Sequence, residues 1–313
     1  MWDACWRGRL ATPYPRSIGL TPANGRQDAL GDQWNVLVPI LRAQAAGPLI
    51  EVGDALAAQP GSEGLVLGLV EVPRGGAGRL TSTVRERQHD LLRWIAASDR
   101  PAREPAPRLG VLVRVTHQVA LGVREAIYEN DSDTVVMEWP GPGSRRPRAL
   151  GAVLRDLAVD PPANLLLVRP GVAVERARHR VLVPVRGGAN AALAVRIGAA
   201  VAEYWDGALT VLHVASSADH PLRVDHERSL VERVLEDAGQ PSATVHERRS
   251  DDVGGTILEE AASHGTVILG SVAERRTPSL VATRLSGMVR ALPGTVILVR
   301  TVASMGAGAL ARV

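Results

Sequence analysis

In the segment VILGSVAERRTPSLVATRLSG, Val267 to Gly287, an apolar run ends at Gly270 and Ser271, crosses a loop with two adjacent arginines and enters a helix. Strand, small-residue loop and helix N-terminus are the parts of a phosphate cradle, in which backbone N–H groups, a hydroxyl and the helix dipole all favour an anion. The chemistry on offer is therefore the binding of a phosphate group. Covalent catalysis has little to work with. All 36 basic residues are arginine, so there is no P-loop lysine and no Schiff-base lysine. Neither a Gly-x-Ser-x-Gly elbow nor HExxH nor a Cys-His pair is present. Ser144 in GPGSRRP has no neighbouring base and reads as turn chemistry. The pairs Asp251-Asp252 and Glu259-Glu260 read as helix caps and exposed faces. Asp219-His220 and Asp225-His226 lack a one-face spacing for a metal, and His213 reads as an interior histidine with a satisfied hydrogen bond. Neither a catalytic nor a metal site is expected.

The elements that would position these loops repeat. NVLVPIL at Asn35–Leu41 returns as RVLVPVR at Arg180–Arg186, with Val36 and Val181 145 residues apart. DTVVME at Asp133–Glu138 is echoed by GTVILG at Gly265–Gly270, and NLLLVRP at Asn164–Pro170 by TVILVRT at Thr295–Thr301. Three matched strands in one order mean two copies of one domain. Strands are expected at Asn35–Leu41, Leu65–Val72, Leu109–Thr116, Thr134–Trp139 and Leu165–Val168, with helices over Ile50–Ala58, Val84–Ala97 and Val119–Asn130. In the second copy the strand Val181–Val185 precedes a helix over Ala189–Trp205 and the strand Ala208–Val214. Leu230, Val231, Val234, Leu235 and Ala238 then fall at helical spacing, with Gly239 closing that helix. A polar strand in SATVHERRS suits a sheet edge. An Asp N-cap opens the next helix and Gly265 is expected to cap its end. The strand TVILG, a short helix near Val281–Ala291 and the strand TVILVR complete the unit. This βαβαβαβαβ order calls for a parallel sheet with right-handed crossovers and helices on both faces. The domains expected are residues 33–170 and 179–301, flanked by a flexible arm over 1–32 and a tail over 302–313, with Pro170–Arg178 as the linker.

The VLVPV first strand, the block SDDVGGTILEEAASHGTVILG and the closing TVILVR resemble the universal stress protein family, in a tandem, two-domain form. The resemblance implies the adenine nucleotide alpha-hydrolase-like fold, a five-stranded parallel sheet in order 3-2-1-4-5 in each copy. It also implies a nucleotide loop, Gly-x2-Gly-x9-Gly-Ser/Thr, between the fourth strand and last helix, and an acidic residue after the first strand. Both loops depart from that pattern. In the second copy Gly270 and Thr283 match, with Ser271 beside them, but Ala273 and Ala282 replace glycines and Arg186 takes the acidic position. In the first copy Gly141 and Gly151 survive, while Glu138, Ala152 and Leu41 stand at the first-glycine, hydroxyl and acidic positions. Glu138 is expected to face a phosphate with negative charge. Arg145, Arg146 and Arg148, and Arg275, Arg276 and Arg284, read as solvated loop arginines that could also meet a phosphate.

Composition narrows the remaining classes. A hydrophobic fraction of 45% with 22% charged residues is that of a globular chain. No apolar run reaches the roughly eighteen residues of a membrane helix. The N-terminus lacks a signal-peptide core, and the single Cys5 excludes an internal disulfide. The default location is cytoplasmic. The sequence pI of about 9.7 comes from arginine in place of lysine, while net charge is only +3; with 3% aromatics this argues against nucleic-acid binding. Three functions compete: a non-catalytic stress or regulatory protein; an adenine-nucleotide binder, with ATP the cofactor and slow hydrolysis; and a cytoplasmic regulatory module of a membrane transporter. The apolar edge strands Leu165–Val168 and Val296–Val299 need covering. The two copies are expected to pair through them as a pseudo-dimer within one chain, with a homodimer or a protein partner as further assemblies.

Overall fold

The computed structural model describes residues 33–72, 80–97, 109–141, 148–159, 161–171, 177, 179–217, 221–271 and 283–302. The expected arm over 1–32 and most of the tail lie outside them. The first half runs β1 (Asn35–Ile40), α1 (Ala46–Ala57), β2 (Glu63–Glu71), α2 (Leu80–Ala97), β3 (Leu109–Thr116), α3 (Val119–Glu129), β4 (Thr134–Glu138), α4 (Arg148–Val159) and β5 (Asn164–Arg169). The second repeats it as β6 (Arg180–Val185), α5 (Ala189–Tyr204), β7 (Ala208–Ala215), α6 (Pro221–Asp237), β8 (Val245–Arg249), α7 (Val253–Ala261), β9 (Thr266–Gly270), α8 (Thr283–Ala291) and β10 (Thr295–Arg300).

The strands form one ten-stranded sheet in the order β3-β2-β1-β4-β5-β10-β9-β6-β7-β8. Within each half every pairing is parallel; β5 and β10 meet antiparallel and join the halves. Leu167 faces Leu298 at the centre of that ladder, and the pairs on either side of it mirror one another. A pseudo-two-fold axis therefore passes through this pair. The apolar strands expected at two edges have covered each other. The outer edges fall to β3 and to β8, whose Glu247, Arg248 and Arg249 are all exposed and discourage further strand addition.

Parallel strands covered on both faces should be apolar throughout, and β4, TVVME, is wholly buried. Side chains of α1, α2, α5 and α6 pack into one core, and those of α3, α4, α7 and α8 into another on the opposite face. Two glycines let the central helices approach the sheet. A Cβ on Gly53 would lie 2.7 Å from Val38 Cγ2, and one on Gly198 would lie 2.7 Å from Val183 Cγ2. Identical contacts 145 residues apart confirm the correspondence of the two halves.

Some element boundaries differ from expectation. The sequence assigns no residue range to the helix α4, and α6 starts at Pro221, ahead of the apolar positions Leu230–Ala238 that announce it. Asp252 caps α7 as expected, accepting from the Gly255 N–H at 2.9 Å. Gly265 does not close that helix. Ala262 ends it in a right-handed conformation, and the His264 ring meets the Glu260 carbonyl at 2.7 Å. A side chain satisfies the helix end, so no left-handed glycine is needed. The Gly265 N–H instead bonds Arg180 at 3.0 Å and leads into β9.

Candidate functional site: two crevices at the switch points

In an open parallel sheet a ligand crevice opens at the carboxyl ends of the strands where the order reverses. Here those places lie between β1 and β4 and between β6 and β9. Proline helps to open them. β1 pairs with β4 at Val36–Thr134 and Leu37–Val135 and then parts from it, two residues before Pro39, which has no N–H to give to a ladder. β6 leaves β9 in the same way after Leu182, ahead of Pro184. Gly270 is the last residue of β9 and corresponds to Glu138, the last of β4.

In the first crevice Glu138 is 3% exposed. Its carboxylate does not stand open toward a phosphate, as the sequence had implied. Arg42, just past the end of β1, donates from Nε to Glu138 Oε2 at 2.8 Å and pairs through Nη2 with Oε1. This fork-to-fork pair is the geometry in which guanidinium and carboxylate bind best. Arg42 follows Leu41, the position where the resembled pattern has an acid, so the charges across the crevice are inverted. A second guanidinium, Arg87 of α2, donates to the Ile40 carbonyl at 2.6 Å. Burial pulls Arg87 down from its ordinary value, with Asp90 opposing. Beyond Glu138, the Trp139 indole is 1% exposed and packs into the core with α3 and α4.

Gly141 keeps a positive φ of 93°, which suits glycine. Gly151 is buried within the first turn of α4.

The second switch point has different side chains. A Cβ on Gly270 would lie 3.2 Å from atoms of Asn190, so packing against the start of α5 explains this glycine without a phosphate. The Asn190 amide donates from Nδ2 to the Ser271 carbonyl at 2.7 Å, and its Oδ1 accepts the Thr301 N–H at 2.8 Å. It thereby ties the ends of β9 and β10 together. The residue matching Asn190 in the first half is Ala45, which leaves room there for Glu138. Beside the end of β6, buried His213 places Nδ1 3.3 Å from the Val185 carbonyl and Nε2 3.6 Å from Glu227 of α6.

The candidate residues thus divide between the two halves: Gly141 and Gly151 in the first, and Gly270, Ser271 and Thr283 in the second. Thr283 opens α8, but its side chain lies outside the described residues, as do those of Arg148 and Arg284. Arg145, Arg146, Arg275 and Arg276 lie outside them altogether. Sequence reasoning missed Arg42 and Asn190, the side chains that bond to Glu138 and to Ser271 and Thr301 at the strand ends. Among the described residues no group of three or more His, Cys, Asp or Glu side chains is placed to hold a metal.

No family model matches the chain, and no curated protein matches it. Solved structures do. The cytoplasmic domain of a prokaryotic cation chloride cotransporter is similar at a TM-score of 0.53 and 13% identity, covering 86% of this chain and 96% of that one. A universal stress protein from Archaeoglobus fulgidus is similar at a TM-score of 0.50 and 16% identity, with the same coverage. A functionally unknown protein from Pseudomonas aeruginosa gives a TM-score of 0.50 at 12% identity, covering 84% of this chain and 91% of that one. The sheet order and the switch points define a doubly wound, mostly parallel α/β fold. Within it, the chain has the tandem universal stress protein fold.

Proposed function

We propose that the protein is a non-catalytic stress or regulatory protein of the cytoplasm, built on a duplicated nucleotide-binding fold whose crevices its own side chains occupy. The observation that carries this reading is the Arg42–Glu138 pair, which puts a buried carboxylate where a phosphate would need donors. Asn190 supports it in the second half by holding the Ser271 carbonyl and the Thr301 N–H. The test is thermal unfolding with and without millimolar Mg-ATP, AMP and cyclic AMP. A ligand at a hundred times its Kd adds about 2.7 kcal/mol, which moves Tm by several degrees in a unit of this size. No shift with any of the three is expected. An adenine-specific shift overturns the reading in favour of ATP binding through a partly retained loop, and Gly141, with its positive φ, is then the first residue to substitute.

A second reading is a regulatory module acting on a membrane transporter. Its support is the likeness to the cotransporter cytoplasmic domain. Among the described residues no helix is long and apolar enough to cross a membrane, so the transporter would be a partner of these residues.

A further inference from the structure

Each half ends the sheet on its own third strand, and the two third strands are built differently. Among the described residues β3 and β8 each have a strand on one side only. β8 reads VHERR, and His246 through Arg249 are exposed. β3 reads LGVLVRVT over 8 residues. Leu109, Val111 and Val113 alternate on one face and pack, partly buried, against the core that includes α1 and α2. Leu112 packs in the same way against the core on the other face. The one charged side chain of β3, Arg114, is engaged by Glu125 and Glu129 of α3. Val115 is 42% exposed.

The sequence of β3 complements a reversed copy of itself. With Leu112 on a two-fold axis, Val111 of one copy lies opposite Val113 of the other, and Leu109 opposite Val115, so that face of the ladder is apolar throughout. On the other face Leu112 meets its own copy, and each Arg114 lies opposite Gly110, which leaves the guanidinium room. No like charges stand directly opposite each other, the arrangement that would weaken an antiparallel pair. The joint of β5 and β10 shows two halves of this fold continuing one sheet in the same antiparallel way, with Leu167 facing Leu298.

We propose that the protein forms a homodimer by antiparallel pairing of β3 with β3 of a second copy, joining two ten-stranded sheets into one. A strand of 8 residues is about 27 Å long, and a sheet with helices on both faces is about 30 Å thick. The side it presents is therefore about 800 Å² per copy, the size of a standard stable interface. The helices packed on β3 from its two faces, α2 and α3, add exposed Leu92, Leu121 and Tyr128. Because charge blocks β8, the two-fold contact occupies the one unguarded edge among the described residues. Assembly then closes at two copies, whereas two open edges would grow a filament.

The experiment is sedimentation velocity of the full chain. At about 50 μM, above the Kd of about 1 μM or tighter that interfaces of this size give, twice the chain mass of 33.2 kDa is expected. Val115→Lys sets an ammonium opposite Leu109 on both sides of the axis and is expected to weaken the dimer at least about a hundredfold. Arg249→Ser, on β8, is expected to leave it unchanged. Circular dichroism and a urea midpoint near that of the parent show that Val115→Lys is folded. Hydrogen exchange of the parent gives a reading without any substitution: the amides of β3 are expected to exchange more slowly in the dimer than in the monomer reached by dilution, and those of β8 equally in both. The proposal is overturned if the parent remains a monomer, or if species larger than a dimer form. It is equally overturned if folded Val115→Lys dimerises as the parent does, or if the β3 amides are as protected in the monomer, which would put another segment of the chain on that edge.

Discussion

Removing either partner of the Arg42–Glu138 pair should not cost the same. Glu138 has a side chain only 4% exposed, whereas that of Arg42 is 35% exposed. Replacing Arg42 with methionine leaves a carboxylate buried without its cation, a situation that costs about 3–5 kcal/mol. Replacing Glu138 with glutamine leaves an acceptor for Arg42 Nε and a guanidinium already in partial contact with water. Its cost, discounted for that exposure, is about 1 kcal/mol. At about 2 °C per kcal/mol for a unit of this size, Tm should fall by about 6–10 °C for Arg42→Met and by about 2 °C for Glu138→Gln. The double variant Arg42→Met with Glu138→Leu should recover most of the loss, because well-packed apolar groups can replace a buried pair at little cost. Urea unfolding followed by far-UV circular dichroism measures all three, with slopes compared to confirm a common transition. Equal losses for the two single variants, or a larger loss for Glu138→Gln, would refute the reasoning and place the stabilisation elsewhere than in a compensated buried charge.

Three further outcomes follow from packing and protonation. Gly198→Ala should lower stability by about 1–2 kcal/mol despite alanine's better helix propensity, since its Cβ would press on Val183 Cγ2 at 2.7 Å and Leu209 Cδ1 at 3.0 Å. Gly287→Ala in α8, with nothing within 4 Å, should raise stability by up to about 1 kcal/mol; the same sign for both variants in urea melts would contradict this account. Burial holds the His264 imidazole below its ordinary value of 6.5, outweighing the Glu260 carbonyl that favours its charged form. The unfolded chain therefore takes up the proton first as pH falls, and stability drops below about pH 6.5 until the folded state also protonates. His264→Gln should show a shallower loss of urea midpoint between pH 7.5 and 5.5, and parallel losses in parent and variant would exclude His264 as a source.

The repeat and the sheet were legible because their signals are local. Apolar runs such as Val181–Val185 and Val296–Val299 announce strands covered on both faces, and their common order announces duplication. The helix α4 carried a readable stripe at Leu150, Val153, Leu154 and Leu157, all buried, but the proline-rich stretch before it drew attention to the loop. The contents of the crevices were less legible. Arg42 and Glu138 lie 96 residues apart, and nothing near either one announces the other. A usable hint existed: an acid stood where the pattern has glycine, and a base stood next to where it has an acid. Asn190 left no such trace, since its role depends on the strand ends of β9 and β10 meeting the start of α5.

Joining β5 to β10 within one polypeptide has an evolutionary consequence. In a dimer of identical subunits every substitution near the axis occurs twice, so a new charge always meets its own copy across the joint. This chain can change one side at a time. That freedom permits glutamate at position 51 with arginine at its mirror position 196. It also lets one half keep glycine beside an asparagine at the end of its fourth strand while the other carries a carboxylate and its guanidinium. With both copies in one polypeptide, each half is free to differ from the other wherever its neighbours differ.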